Sequence, residues 1–590
     1  MNITSFNQVE LKSAYGILCH SLASFGPSDA LKPTFCLIKP GEHTTSHAHF
    51  EPEIFFIIRG QGTMTIGEHS RSIQTGDLVK IPSFTAHQLT NTQNEYLEFL
   101  SVYTESLDLP NIPKQVLITA APPTPNGPLH LGHISGPYLA ADIMARYLKC
   151  KHADVVTHSG TDDHQNYVSE KAHSLNRTTE DFRLSRRARI QRGLMNMDIS
   201  FDEFIEPATD EDYQNRIRDF FNRAVKSKVI EKETLLMPHC ESCDLTLVDV
   251  HADGTCPNCQ SPSRGGCESC GIVVAPYELL NVKCGRCGTT ATLNPASVCT
   301  FNLSQHLPLI LNELQKLPLA LRLKQLVSLI QQRSNLKVLV AYATNETSGI
   351  KVADQTLHVW FEMAAHYESH ATQSRYWIHS FGFDNSFHYL LYIPALLRAM
   401  NPNARVPDAV LTNEFLLLDG AKFSTSRGHA IWADEFEGNT EHLRLYLTHI
   451  RPSEQTTDFS MDAFTAFSKD LKMKLDTLFQ KLNDVSDIGT AIDAVKPNER
   501  TLFQIQKFNH ALDASFGQSD VRGAAQVILG FLDSVTHFQD DIVNFSAKAK
   551  ALSYGLSPFM PETSGRLDRM LTLETRHAKL TSSFVAHGAL

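Results

Sequence analysis

The sequence predicts a multidomain protein in which an all-β segment, an α/β core with a cysteine-rich insert and an α-helical tail follow one another. Short aromatic and β-branched runs, separated by Gly, Pro, Asn and Asp, fill residues 1–108. From residue 114 strand-like and amphipathic helical segments alternate, as in an α/β sheet. From residue 456 the pattern is that of amphipathic helices. The 590 residues are about four times the ~150 residues of one domain, so several cores are expected.

Composition and charge limit the class of protein. With 42% apolar and 20% charged residues the chain is an ordinary globular one rather than a disordered or fibrous one. A net charge of −11 excludes a protein that binds nucleic acid through its overall charge, although a local basic face stays open. The sequence contains no run of eighteen apolar residues and does not begin with a basic-then-apolar segment. We therefore expect no membrane partner and a cytoplasmic location.

Four metal-binding side chains are spaced through the all-β segment. His residues at positions i and i+2 of a strand point to the same face, and a bend can bring a following carboxylate round to them. A further His from another strand would complete a three-His, one-carboxylate set suited to zinc, iron or manganese. The four predicted ligands are His47, His49, Glu53 and His87.

The spacing around these ligands resembles both motifs of the cupin family. The two patterns read Gly-x5-His-x-His-x3-Glu-x6-Gly, from Gly41, and Gly-x5-Pro-x4-His-x3-Asn, from Gly76. Phe84 stands where cupins usually carry Gly. The resemblance implies a metal-binding jelly roll (double-stranded β-helix) over 1–108, with zinc expected ahead of iron or manganese. The alternative is a metal-free cupin used for packing or for binding a sugar.

Two distant segments of the α/β core carry groups that suit phosphate chemistry. After the strand-like run from Gln115, the segment 122–133 places His130 and His133 at a predicted helix N-terminus, where imidazoles and backbone amides can meet developing phosphate charge. Gly132 between them leaves room for a flat adenine. Far downstream, the loop 422–427, with the sequence KFSTSR, is suited to binding pyrophosphate.

Together and in this order, the two segments resemble the signatures of class I aminoacyl-tRNA synthetases. The resemblance is to the methionyl-tRNA synthetases and runs from about 114 to 570. It implies a Rossmann core in two parts, 114–235 and 298–455, which binds ATP with Mg and forms an aminoacyl-adenylate. His130, His133 and Lys422 would be catalytic. The implied ATP contacts are Asn126, Gly132, Asp384, Lys422 and Ser424.

The resemblance also implies an amino-acid pocket. Gly160-Thr161-Asp162-Asp163-His164 is similar to the family stretch whose first acidic residue holds the substrate's α-ammonium, so Asp162 is assigned to it. Trp360 and Tyr367 match the aromatic walls, although core packing is the alternative for each. Pro122 and Tyr389 depart from the residues that methionine-specific enzymes usually carry, and Thr425 replaces the second lysine of the downstream loop. Methionine is therefore not assigned as the substrate.

Eight of the twelve cysteines form four Cys-x-x-Cys pairs within residues 236–297. Paired spacing in a long chain indicates metal sites rather than disulfides, and four thiolates bind one zinc ion tetrahedrally. The spacing resembles the double zinc knuckle of methionyl-tRNA synthetases and implies two structural zinc ions. Sequence order suggests that neighbouring pairs share an ion; an interleaved arrangement is the alternative, as is a redox role for one pair. The cysteines are 240, 243, 256, 259, 267, 270, 284 and 287.

The helical tail, 456–590, resembles the family's anticodon-binding domain, which stacks a Trp on an unpaired base. The three tryptophans of this chain, Trp360, Trp377 and Trp432, all precede the tail. Residues 451–590 carry 15 Lys and Arg against 17 Asp and Glu, which is no basic footprint for a polyanion. Tyr or Phe could stack instead of Trp. Our expectation is that tRNA is not a partner.

The order of domains is similar to that of the cupin–methionyl-tRNA-synthetase-like hydrazine synthetases. The resemblance implies that an amino acid, glycine or glutamate, is adenylated and passed to the N-hydroxyl of an N-hydroxylated amine such as ε-N-hydroxylysine. The cupin metal would then assist a rearrangement that forms an N–N bond. The first alternative is a methionyl-tRNA synthetase with an accessory cupin domain. The second is a catalytically inactive protein that senses an amino acid or a metal. The sequence does not indicate the oligomeric state.

Overall fold

The structure is a computed structural model that describes residues 11–14, 16–21, 31–47, 53–67, 69–81, 86–104, 113–346, 348–424, 428–486, 497–537 and 541–571. The chain divides into two compact units, one comprising Met1–Asn111 with Lys469–Leu590 and the other Ile112–Ser468. Within the described ranges no helix is both long and apolar enough to cross a membrane.

The N-terminal segment forms two antiparallel β-sheets. One has the strand order β1-β2-β3-β9-β4-β7 and the other β6-β5-β8. Burial alternates along the fourth strand, where Glu53, Phe55 and Ile57 point inward and the residues between them face solvent. Glu53 therefore shares the apolar interior with core residues such as Leu89 and Phe99. The strands are β1 Lys12–Ala14, β2 Ile17–Ser21, β3 Leu31–Ile38, β4 Glu53–Arg59, β5 Gln61–Ile66, β6 His69–Gln74, β7 Leu78–Ile81, β8 His87–Asn91 and β9 Leu97–Thr104.

The second unit contains the strands that follow. They are β10 Gln115–Ala120, β11 Asp154–Gly160, β12 Glu203–Ile205, β13 Glu231–Cys240, β14 Leu245–Thr246, β15 Ala252–Thr255, β16 Pro262–Ser263, β17 Leu280–Cys284, β18 Thr292–Asn302, β19 Lys337–Tyr342, β20 Lys351–Val352, β21 Gln355–Leu357, β22 Tyr376–Gly382, β23 Ala409–Asn413, β24 Leu416–Leu418, β25 Ala421–Lys422 and β26 Thr457–Phe459.

A parallel sheet of order β12-β11-β10-β22-β23 forms the centre of this unit. The chain leaves β10 toward β11 on one side and later returns with β22 on the other side. The strand order therefore reverses beside β10. In open α/β sheets ligands bind at such a switch point, outside the carboxyl ends of the strands. The ends of β10, β11 and β22 accordingly define the place where a binding site is expected.

The segment 298–455 does not belong wholly to the parallel sheet, contrary to its prediction as the second Rossmann half. β18 and β19 lie instead in an antiparallel sheet of order β14-β13-β18-β19-β21-β20. The long strand β18 pairs with β13 from Glu231↔Thr300 to His239↔Thr292. This antiparallel pairing joins the two ends of the insert and places β18 outside the parallel sheet. Among the described strands that follow the insert, β22 and β23 are the two that join the parallel sheet.

The cysteine pairs are nested, and the suggested sharing of one ion by neighbouring pairs is wrong. Cys240, Cys243, Cys284 and Cys287 form an outer cluster, whose ligand atoms lie within 4.8 Å of one another. The pairs between them form an inner cluster of Cys256, Cys259, Cys267 and Cys270. The outer pairs meet because one follows β13 and the other precedes β18, and these two strands are hydrogen-bonded neighbours. Each cluster has the four thiols that a tetrahedral zinc ion requires.

The outer cluster is also tied to the core by charge. Arg286, between Cys284 and Cys287, donates to Glu170 Oε2 at 2.6 Å and to Glu346 Oε1 at 2.7 Å. Glu170 lies on a helix that directly follows the β11 loop. These hydrogen bonds hold the insert against that helix, which lies next to the switch point of the parallel sheet.

Helices cover the sheets and form the tail. The helix predicted to begin near His130 and His133 starts with one turn at Leu131–His133, continues through a π-helical turn at Ile134–Tyr138 and then becomes a regular helix. The tail begins later than predicted, because Thr457–Phe459 pairs with β24 in the second unit. The helices are α1 Leu131–His133, α2 Leu139–Cys150, α3 Asn166–Ser174, α4 Thr179–Asn196, α5 Glu211–Lys226, α6 Leu303–His306, α7 Leu311–Leu314, α8 Leu321–Gln331, α9 Val359–His366, α10 Glu368–Ala371, α11 Ile393–Met400, α12 Thr440–His449, α13 Met461–Ser486, α14 Glu499–Gly517, α15 Val521–His537, α16 Ile542–Leu556 and a helix over 561–571.

The nested arrangement predicts which pairs of cysteine substitutions act on the same ion. The double variant Cys240→Ser/Cys287→Ser alters the outer cluster alone and should lose about one zinc equivalent, because four thiolates hold each ion. The double variant Cys240→Ser/Cys256→Ser alters both clusters and should lose about two. Elemental analysis of the purified full chain measures the difference, with Cys150→Ser as the control. If neighbouring pairs shared an ion instead, Cys240→Ser/Cys287→Ser would lose about two zinc equivalents and Cys240→Ser/Cys256→Ser about one.

Candidate active site

A cavity of about 570 Å³ opens at the carboxyl ends of β10, β11 and β22. Its volume lies within the ~300–1,000 Å³ that is usual for small-molecule sites. It brings together groups from the segment after β10, the residues after β11 and β22, helix α9 and the loop at 422–423. The predicted residues that line it are Pro122, Asn126, His130, Gly132, His133, Asp162, Trp360, Asp384, Tyr389 and Lys422.

His130 and His133 present hydrogen-bond donors to this cavity. The backbone N–H of each residue donates to Nδ1 of the other, at 3.2 and 3.3 Å. Desolvation, helped by His133, lowers the pKa of His130 to about 2, and desolvation lowers the pKa of His133 to about 4, where His130 is half-buried and His133 is exposed at the cavity. Neutral rings whose Nδ1 atoms accept must carry their protons on Nε2. Each imidazole therefore offers one Nε2–H for an anionic oxygen.

Gly132 lines the cavity between the two histidines, and its lack of a side chain matters there. A Cβ at this position would lie 3.0 Å from His130 Nδ1 and 3.1 Å from Phe423 Cδ2. The ring of Phe423 stacks on His130 with a centroid distance of 4.6 Å. A side chain at position 132 would therefore displace the ring of His130 or of Phe423.

Lys422 lies at the cavity but is held by the cysteine-rich insert. Its Nζ lies 2.6 Å from the Oε2 of Glu268, which stands between two cysteines of the inner cluster, and 4.1 Å from the centroid of the Phe415 ring. Of the described residues in this loop, Lys422 and Phe423 line the cavity, whereas Ser424, whose N–H donates to the carbonyl of His429, does not. Residues 425–427, including Thr425, lie outside the described residues.

Asp162 forms the acidic floor of the cavity. It is buried, and its Oδ2 accepts a hydrogen bond from Thr124 Oγ1 at 3.3 Å. Burial and, next in size, the nearby Glu362 raise the pKa of Asp162 to about 8, whereas His164 opposes the shift. A cation beside this carboxyl would favour its charged form. Asp162 is accordingly suited to receive an ammonium group.

Glu362, for which the sequence analysis proposed no role, organises the residues behind Asp162. Its Oε1 lies 2.8 Å from His164 Nδ1 and accepts a hydrogen bond from Tyr213 Oη at 3.1 Å. The available signal was a single carboxylate in the otherwise apolar run of α9, because such a group is costly to bury without partners. Asp163 turns away and pairs with Arg183 at 3.0 Å.

Aromatic rings form one wall of the cavity. Trp360 stacks on His388 with centroids 3.7 Å apart and meets Tyr389 edge-on at 5.4 Å. His388, for which the sequence analysis had no role, also lines the cavity. Tyr367 is not among the lining residues, contrary to the prediction. It is fully buried and packs behind Tyr389 at 6.0 Å, so it supports the wall without forming it.

Asp384 stands at the opposite side of the switch point, two residues after β22. Burial raises its pKa to about 6, with a further contribution from Glu268. A Cβ at Gly382 would lie 2.6 Å from Asp384 Oδ1, so a larger residue there would displace the carboxylate. A carboxylate fixed in this way can accept hydrogen bonds from vicinal hydroxyls such as those of a ribose.

The N-terminal sheets bring three of the four predicted metal ligands close together. Strand-like backbone hydrogen bonds join His47 and His87, and their ring centroids are 4.5 Å apart. His87 Nε2 lies 3.3 Å from Glu53 Oε2, while Ser101 donates to the other carboxylate oxygen. Two imidazoles and an oriented carboxylate suit a divalent transition metal. His49, the fourth predicted ligand, lies outside the described residues.

Comparison with known protein families identifies both parts of the chain. The model of class I tRNA synthetases (M) matches residues 116–482, and the cupin domain model matches residues 34–103. The chain belongs to the class I tRNA synthetase family, with a methionyl-tRNA-synthetase-like domain preceded by a cupin domain. The family is one of ATP-dependent ligases.

Individual relatives point the same way. The methionine–tRNA ligase of Methanobrevibacter smithii is 32% identical over 382 residues, which are 60% of this chain and 56% of that protein. The Pyrococcus furiosus methionine–tRNA ligase is 27% identical over 534 residues, 78% of this chain and 72% of the relative. A structure of Mycobacterium tuberculosis methionyl-tRNA synthetase with methionyl-adenylate shares the fold at a TM-score of 0.59, 18% identity, and coverage of 77% of this chain and 93% of that one. The chain thus spans just over half the length of the first of these relatives.

These comparisons overturn the expectation that tRNA is not a partner. The relatives that match across the core are methionine–tRNA ligases, proteins whose names give tRNA as a substrate. The absence of Trp from the tail does not exclude tRNA binding, because other aromatic residues can stack on bases. The slightly acidic charge of the tail does not exclude it either, because a charge summed over 140 residues does not describe a single face of the domain.

Asp162→Asn tests the acidic floor of the cavity. The amide cannot form an ion pair with an ammonium group, and hydrogen bonds to charged groups contribute about 1.5–3 kcal/mol. We expect the KM for the amino acid to rise roughly 10- to 100-fold, with a smaller change for ATP, in amino-acid-dependent ATP–pyrophosphate exchange.

The pH profile supplies a second readout. Because the pKa of Asp162 is raised to about 8, the carboxyl is protonated below that pH and cannot pair with the ammonium group. The wild-type KM should therefore fall as pH rises toward about 8, and this dependence should be lost in Asp162→Asn. The control is Asp212→Asn, at an exposed position. An unchanged KM and pH profile in Asp162→Asn would remove Asp162 from the site.

Proposed function

We propose that this chain activates an amino acid with ATP to form an aminoacyl-adenylate and pyrophosphate. The observation that carries the proposal is a single cavity that holds a buried carboxyl for an ammonium group, Asp162, and phosphate-facing donors, His130 and His133. Membership of the class I tRNA synthetase family supports the same activity.

The proposed reaction joins the amino acid's carboxylate oxygen to the α-phosphorus of ATP. The bond from that phosphorus to the bridging oxygen breaks, and pyrophosphate leaves with its electron pair. Negative charge increases on the phosphate oxygens as the transition state forms, and fixed donors lower its energy. The Nε2–H groups of His130 and His133 are suited to donate to these phosphate oxygens, because the lowered pKa of both rings favours their neutral form at neutral pH.

Lys422 is proposed to bind the departing pyrophosphate. Its ammonium group is within reach of the cavity, yet it is paired with Glu268. Both partners are largely solvent-exposed, and exposed ion pairs contribute only ~0–1 kcal/mol. A polyphosphate carries more negative charge than one carboxylate, so we expect ATP to take Lys422 from Glu268. Magnesium accompanies ATP in this proposal.

The amino acid is proposed to lie between Asp162 and the wall formed by Trp360, His388 and Tyr389. Its ammonium group would pair with Asp162, and its side chain would contact the ring faces. The wall is buried against Tyr367 and further aromatic rings, so its shape is fixed by close packing. We expect this wall to determine which amino-acid side chain the cavity accepts. Tyr389 is the most deeply buried of its three residues.

We propose tRNA as the acceptor of the activated amino acid. The support comes from the methionine–tRNA ligases that match this chain over 59–78% of its length. Transfer would join the acyl carbon to a ribose hydroxyl and release AMP. In this proposal the cupin domain is an accessory metal-binding domain, and zinc occupies the two cysteine clusters.

A second candidate acceptor is an N-hydroxylated amine, and the cupin favours it. Two imidazoles and a carboxylate, from His47, His87 and Glu53, are an arrangement that could hold zinc and orient a small ester. The hydroxyl oxygen would take the acyl group and release AMP. The amino nitrogen of the transferred aminoacyl group would then attack the nitrogen of the N–O bond and lose a proton, forming the N–N bond as the N–O bond breaks and the carboxylate leaves. No external oxidant is needed, because the N–O bond is the oxidant.

Product analysis distinguishes the two acceptors. The purified chain is incubated with ATP and each amino acid, and with either total tRNA or ε-N-hydroxylysine. We expect acid-precipitable aminoacyl-tRNA, because the matching relatives are tRNA ligases. The reactions with ε-N-hydroxylysine are examined by mass spectrometry for an N–N product.

A hydrazine product without any charging of tRNA would reverse the order of the two candidates. In that event His87→Ala should abolish the N–N product while the acyl ester still accumulates, because adenylation takes place in the synthetase domain. His69→Ala, an exposed position of the same N-terminal segment, is the matched control and should behave as the wild type.

A further inference from the structure

A cluster of three histidines lies in the synthetase unit, outside the cavity described above. His158 on β11 and His370 on α10 are buried, and His366, the last residue of α9, is partly buried. One ligand nitrogen from each lies within 4.8 Å of the others. Their ring centroids are 4.6–5.2 Å apart, so the three rings form a closed triangle.

We propose that His158, His366 and His370 bind one divalent transition-metal ion, with zinc as the expected ion. Imidazole nitrogens suit zinc, copper, nickel and iron, and three histidines are an established ligand set for zinc. His366 and His370 are four residues apart across the junction of α9 and α10, the spacing that places two side chains on one helix face.

The second observation is the carboxylate that orients His158. Its Nδ1 lies 3.0 Å from Glu203 Oε2, across directly paired residues of β11 and β12. A carboxylate accepts the Nδ1 proton, which leaves the lone pair on Nε2. That Nε2 faces His366 Nε2 at 2.8 Å. A carboxylate behind a ligand imidazole is the usual support for a metal-bound histidine.

The geometry requires a small adjustment on binding. Two nitrogens that each lie about 2.0–2.1 Å from a tetrahedral zinc ion are about 3.4 Å apart. The facing Nε2 atoms must therefore separate by roughly half an ångström, which a rotation of the partly buried His366 can supply. Three protein ligands would leave a fourth position for water.

The position of the cluster suggests what the ion would do. β11 ends two residues before Asp162, and α9 carries Trp360 one turn and a half before His366. Tyr367, between two of the ligands, packs behind Tyr389 in the cavity wall. An ion at the three histidines would therefore tie together the two elements that form the amino-acid part of the cavity. We assign it a structural role.

Metal content tests this proposal with the full chain grown in zinc-supplemented medium. Elemental analysis should show about one zinc equivalent fewer in His366→Asn/His370→Asn than in the wild type. His306→Asn, at a partly buried histidine outside the three-histidine cluster, is the control and should keep the wild-type content. Equal zinc content in all three proteins would overturn the proposal and leave the histidines as a hydrogen-bonded packing cluster.

A second variant keeps the test decisive if the double variant does not fold. Glu203 is exposed, so Glu203→Gln should fold while weakening the support of His158. Loss of such a carboxylate typically lowers metal affinity roughly 10- to 100-fold. Competition with a chromogenic chelator should show one zinc equivalent released at a correspondingly lower chelator concentration. Release identical to that of the wild type would contradict the proposed ligand set.

Discussion

Parallel pairing of β10 with β11 on one side and β22 on the other is the constraint on which the rest of the synthetase unit depends. Register fixes Leu117 opposite both Val156 and Trp377, so the three strands end at the same edge of the sheet. The chain then continues from these ends into the segments that carry His130, Asp162 and Asp384. Groups more than 250 positions apart in sequence thereby line one cavity.

Desolvation at this edge determines the chemistry that is available. It keeps both imidazoles of the His130 pair neutral, and it raises the pKa of the carboxyls of Asp162 and Asp384. Neutral imidazoles donate to anions without carrying charge, while a buried carboxyl binds a cation more strongly than an exposed one does. The same enclosure thus suits one end of the cavity to phosphate and the other to an ammonium group.

The cysteine-rich insert influences this cavity from outside the parallel sheet. Arg286 of the outer cluster pairs with Glu170 on the helix after the β11 loop. Glu268 of the inner cluster pairs with Lys422. Because both charged residues stand between cysteines of a cluster, the positions of these two charges depend on the fold of the insert.

Local sequence signals were sufficient for some features and insufficient for others. The His130 and His133 segment, Asp162 and Asp384 each follow a strand with a clear pattern, so their placement at the sheet edge was predictable. The nested cysteine pairs were not, because nesting arises from the pairing of β13 with β18, which spacing alone does not encode. Tyr367 and His388 show the same limit, since which side of a buried aromatic wall faces a cavity is decided by packing. Glu362 was overlooked because its partners, His164 and Tyr213, come from distant segments.

The central claim is that this cavity makes an aminoacyl-adenylate. Amino-acid-dependent exchange of radiolabelled pyrophosphate into ATP, measured with the full chain and each of the common amino acids in turn, tests it most directly. The account predicts exchange with at least one amino acid and none without an amino acid. A folded chain that binds ATP but supports no exchange with any amino acid would contradict it.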